Sequence, residues 1–121
     1  MPRRAGGRSV DATRRKELAL DTYVILRRSG WRSGEELEEA AARSTAEGER
    51  MSDDIGWIRS YVLEEGNGVG TVCIYQASSP EAIRAHAAAA DLPVDEIVKV
   101  AETVVVRPDP VPVTASERRG P

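Results

Sequence analysis

His86 is the only histidine and Cys73 the only cysteine in this 121-residue chain. An imidazole titrates near neutrality and ligates divalent metals, and a thiolate is a soft ligand for the same ions. One cysteine supplies neither a CxxC knuckle nor a dithiol redox pair. One histidine is at most half of a usual ligand set. His86 lies three residues after Ile83 and next to Ala87, which suits a packed boundary residue as well as a ligand or proton carrier. Glu35, Glu36, Glu38 and Glu39 offer carboxylates to a cation, yet at a helix start they also serve the macrodipole. Trp57, Tyr61, Cys73 and Tyr75 fall on one hairpin, where they either line a small pocket or fill a sheet core. Acyl-transfer chemistry lacks its parts, since His86 is mid-helix and the chain has no nucleophile elbow. Gly66, Gly68 and Gly70 alternate between two strands, as in a hairpin and unlike a phosphate loop, so no nucleotide cofactor is expected.

The elements that must carry these residues follow from periodicity and caps. Leu20 to Arg27 contains Tyr23, Val24, Ile25 and Leu26 and reads as a first strand, stopped by Ser29 and Gly30. Ser33 with Glu36 has capping-box spacing and opens a helix to about Arg50. Its inward stripe is Leu37, Ala40, Ala41, Ser44, Gly48 and Met51, mostly small, so the helix can lie close on a sheet. Ile55 to Glu64 reads as a second strand and Gly70 to Ala77 as a third, joined by turn residues at 65–68. Ser79 caps a second helix with Pro80 at its first position, and Asp91 and Pro93 end it. Ile97 to Val106 reads as a fourth strand. The order βαββαβ predicts an α+β fold, a ferredoxin-like sandwich with both helices on one face of an antiparallel sheet. Strands two and three are apolar on both faces, so the bare sheet face needs a cover; a homodimer pairing face to face, a dimeric α/β barrel, is expected.

Composition limits the rest. The length suits one domain, 19–107, between a basic tail at 1–18 and a proline-rich tail at 108–121, both read as disordered. The net charge of −3 hides a polar distribution: Ala19 to Val106 carries eight basic and sixteen acidic side chains, a balance that repels phosphate backbones. Nucleic acid is excluded as a partner of the folded body. No run reaches the ~18 apolar residues of a membrane span, so a cytoplasmic protein is expected.

Four separated strings carry a family resemblance: Trp57-Ile58-Arg59-Ser60-Tyr61-Val62, Cys73-Ile74-Tyr75-Gln76-Ala77, Ser79-Pro80-Glu81-Ala82-Ile83-Arg84-Ala85-His86, and Leu92-Pro93-Val94-Asp95-Glu96-Ile97. From about Thr22 to Val106 the chain resembles a family of small actinobacterial proteins described as a domain of unknown function, one branch of which is nickel-binding, nickel-responsive and ferredoxin-like. The resemblance implies a homodimer, a metal near the dimer surface and no established enzymatic activity. It implies His86 as an imidazole ligand, with Cys73, Tyr61 and Tyr75 as the matching hairpin positions. The chain departs from the family at Leu26, where members often carry a carboxylate, and in its basic extension before Ala19.

Two readings result. In one, a cytoplasmic homodimer binds nickel or another divalent metal through His86 and Cys73. In the other, a dimeric α/β-barrel enzyme or small-ligand protein, resembling the antibiotic-biosynthesis monooxygenases, uses Arg59, Tyr61, Tyr75 and His86 to line a pocket between helices and sheet.

Overall fold

Alternation along the first strand, β1 (Asp21–Trp31), sets which side chains reach the interior. Tyr23, Ile25 and Arg27 are buried, whereas Thr22, Val24 and Leu26 between them are half-buried. The computed structural model describes residues 20–111. The two tails read from sequence fall at 1–18, outside the described residues, and at 108–121, of which 112–121 lie outside them.

The first helix, α1 (Gly34–Arg50), begins where the Ser33 hydroxyl accepts from the Glu36 N–H at 3.3 Å. Glu36 does not complete the box. Its carboxylate takes the Arg32 N–H at 2.8 Å and the Arg32 guanidinium at 2.7 Å instead. α1 buries Ala40 and Ser44. β2 (Ile55–Glu65) and β3 (Gly68–Ala77) form the expected hairpin with a two-residue connection. Gly68, at φ 147°, takes backbone that favours glycine, and a Cβ there would run into the Trp31 carbonyl. The second helix, α2 (Pro80–Ala90), is capped by Ser79, which accepts from Ala82 N–H at 3.1 Å, and ends on Asp91 in the left-handed region. β4 (Glu96–Lys99) completes an antiparallel sheet in the order β2-β3-β1-β4. Four antiparallel strands and two helices in this order are compatible with a ferredoxin-like sandwich. The core of Tyr23, Ile25, Ile55, Cys73, Tyr75, Ala77 and Ile83 lies between sheet and helices.

Three expectations need correction. β1 is not stopped by Ser29 and Gly30 but bulges through them and pairs again at Trp31. β4 spans Glu96–Lys99, not Ile97 to Val106, because its ladder to β1 covers only Tyr23 to Leu26 and closes with Val100 N–H donating to the Thr22 carbonyl. Val104, Val105 and Val106 have strand propensity but no strand beside them, and stand exposed. Burial on both faces of β2 is not seen within one chain either. Trp57, Ile58, Tyr61 and Val62 are exposed, since β2 is an edge strand.

β1 bulges between Arg27 and Trp31, where Arg28, Ser29 and Gly30 oppose the single Gly70 of β3. Glu65 holds the bulge, accepting from the Ser29 N–H, the Ser29 hydroxyl at 3.2 Å and the Arg28 Nε–H at 2.9 Å. Gly70 lies against it, and a Cβ at that position would stand 2.5 Å from the Arg27 carbonyl oxygen. The Arg28 guanidinium, and then the Ser29 N–H, keep the Glu65 carboxyl below the usual carboxylate range. A carboxyl whose folded pKa lies below its unfolded value stabilises fully above about pH 4.3 and loses that contribution as pH falls through the folded value. Urea unfolding at pH 7 and pH 3 should therefore show Glu65→Gln less stable than the native chain at pH 7, with the difference shrinking in acid.

Candidate functional site

The predicted site residues separate into two groups because alternate positions on β2 and β3 face opposite sides of the sheet. Cys73 and Tyr75 point toward the helices. Arg59 and Tyr61 are paired with Ile74 and Val72, on the open face. There the Tyr61 hydroxyl donates to Asp109 at 2.7 Å and Arg59 Nη1 lies 3.2 Å from the same carboxylate, so these two residues tie down the segment after β4.

On the helix side, His86 is buried on α2 and its Nε2 lies 3.0 Å from the Ser44 carbonyl of α1. A carbonyl only accepts, so in the neutral ring the proton is on Nε2 and the lone pair on Nδ1. Nδ1 is buried and has no hydrogen-bond partner. The ring sits 5.7 Å from Tyr75, tilted by 57°. Tyr75 hydrogen-bonds Ser44 Oγ at 3.0 Å and stacks parallel to Trp57 at 6.0 Å. Burial pushes the Tyr75 phenol above its ordinary range, against the opposing pull of the Ser44 hydrogen bond and the Arg27 charge, so the ring is a neutral hydroxyl at physiological pH. The Cys73 thiol donates to Thr71 Oγ1 at 3.3 Å.

Two cavities meet at Ser44, Trp57 and Tyr75. One, of about 250 Å³, includes His86 and Gly48; the other, of about 280 Å³, includes Cys73, Thr71 and Arg27. Cys73 and His86 thus line different cavities. Among the described residues no three His, Cys, Asp or Glu side chains come together to hold a metal ion. Beyond the unpartnered Nδ1 of His86, the described residues of one copy offer no set of three such donors, so within one copy they do not build a metal centre.

Sequence reasoning missed Arg27. Its side chain is only 1% exposed, and its Nε, Nη1 and Nη2 have no hydrogen-bond partner. Its guanidinium carbon lies 6.0 Å from the Tyr75 ring centre, at the outer limit of a cation–π contact. Its parity with Tyr23 and Ile25 was the available signal, since side chains two apart on a strand share a face.

Residues 23–100 match the family described as Nickel responsive protein SCO4226-like. The chain belongs to this family. No curated protein and no solved structure matches the chain. The span matched by the family runs from the first buried residue of β1 to just beyond β4 and contains all the side chains placed above except Asp109. None of the helices among the described residues is long and apolar enough to cross a membrane.

Proposed function

We propose that the chain acts in a metal response as a homodimer paired through its open sheet face, as in a dimeric α/β barrel. It binds nickel or another divalent ion with donors that two copies supply together. Membership of a nickel-responsive family supports the metal. The observation that carries the pairing is the open face itself. Val24, Leu26, Val72 and Ile74 lie side by side at the centre of the sheet, on the side away from both helices, and all remain partly accessible. Tyr61 and Val98 extend the same apolar face toward the two edges. Contiguous apolar surface of this kind marks an interaction site on a small protein. Within one copy His86 and Cys73 lie in different cavities on the helix side of the sheet, so the shared donors come from the face where two copies meet and not from these two side chains.

Sedimentation equilibrium at micromolar concentration should give a dimer, and titration calorimetry with nickel chloride should show uptake. Ile74→Asp places a charge in the centre of the face and should give a folded monomer that no longer takes up nickel. A native chain that sediments as a monomer overturns the pairing. A monomeric Ile74→Asp variant that still binds nickel puts the ion within a single copy and overturns the shared site.

A further inference from the structure

The 280 Å³ cavity beneath α1 is built unlike a gap in a core. Trp31, Trp57, Tyr75, Leu37 and Ala40 supply apolar wall, and the Arg27 guanidinium stands among them without an acceptor. Burying an unpaired charge is costly. Tyr75 is a neutral phenol and cannot balance it. Glu38, the one carboxylate on the lining, is an exposed side chain and makes no hydrogen bond to Arg27. The cavity is reachable: Arg27, Thr71, Cys73 and Tyr75 form a buried floor, whereas Trp57 and Val62 on the edge strand are exposed and form a mouth.

We propose that this cavity binds a small organic monocarboxylate with an apolar body, the carboxylate meeting Arg27 and the body packing between the tryptophan and tyrosine rings. A guanidinium fork matches the two oxygens of a carboxylate. A single positive charge in a mostly apolar lining favours a monoanion over a doubly charged phosphate, which needs more donors. The volume, just below the usual range of about 300–1,000 Å³ for ligand pockets, suits a body of one ring or a short chain and is too small for a nucleotide. The site is independent of the metal response and of the sheet face on which the dimer would form.

The test titrates the full chain with benzoate, hexanoate, benzamide and inorganic phosphate, following tryptophan fluorescence, since both tryptophans line the cavity. Benzoate and hexanoate should saturate the signal below about 10 mM, a weak affinity within reach of one ion pair and a small apolar body. Benzamide, the neutral counterpart of benzoate, should bind at least tenfold more weakly. Arg27→Met should weaken benzoate by about 100-fold, as expected when one partner of a buried charged pair is removed. Arg84→Met, which removes an exposed guanidinium from α2, should leave binding unchanged. Equal binding of benzoate and benzamide overturns the proposal and needs no variant to fold. So does saturation by phosphate in preference to the carboxylates, or no response to either carboxylate.

Discussion

His86→Ala is expected to destabilise the metal-free protein by about 1–3 kcal/mol, a drop in melting temperature of roughly 5–20 °C for a domain of this size. The imidazole is fully buried, bonded to the Ser44 carbonyl and packed against Tyr75. Truncation removes a hydrogen bond between the two helices and leaves a void between them and the sheet. His86→Leu keeps most of the volume and removes the unpartnered Nδ1, so it should recover most of the loss. Since the ion is proposed to lie between copies, the rise in melting temperature on adding nickel should be the same in His86→Ala as in the native chain. An Ala variant with native metal-free stability and no nickel response would make His86 a ligand and contradict this account.

Arg27→Met is expected to move stability in the opposite direction. The guanidinium makes no hydrogen bond, so its replacement by an apolar side chain of similar length removes a desolvated charge and leaves no polar partner stranded. Against this stands the loss of the contact with Tyr75, about 0.5–2 kcal/mol. The net expectation for the ligand-free protein is a gain of about 1–3 kcal/mol, with the urea midpoint rising at unchanged slope. A loss of more than about 1 kcal/mol would mean that the guanidinium is already satisfied in the ligand-free protein. A residue that lowers stability while lining a cavity is the expected signature of a binding site, where function and stability are in competition.

Local rules made most of the elements legible. Ser33 and Ser79 cap the two helices, Pro80 opens the second, and the turn residues at 65–68 join a hairpin, because each of these signals acts within a few residues. β4 was misjudged because Val104 to Val106 have the right propensity but no ladder partner, and partnering is decided by distant residues. The candidate site was legible in part. The positions of Tyr75, Cys73 and His86 on a hairpin and a helix could be read, but their division between two cavities depends on packing across the sheet. Arg59 and Tyr61 share a strand with Trp57, yet Ile58 is the extra residue of a bulge between Trp57 and Arg59. One inserted residue exchanges the faces of everything after it. Arg27 escaped because a charge at the end of an apolar run reads as the point where burial stops.

That same bulge at Ile58 bears on how the molecule avoids aggregation. β2 is an eleven-residue edge strand, long enough to template the addition of a foreign strand, and it exposes Trp57, Tyr61 and Val62. A flat edge of that length and composition invites uncontrolled pairing. The bulge interrupts its hydrogen-bonding repeat at the fourth of its eleven residues and twists the parts on either side out of line, and the charge of Arg59 stands at the break. An incoming strand can therefore match the edge on one side of the bulge but not on both, which keeps an apolar edge from growing into a longer sheet.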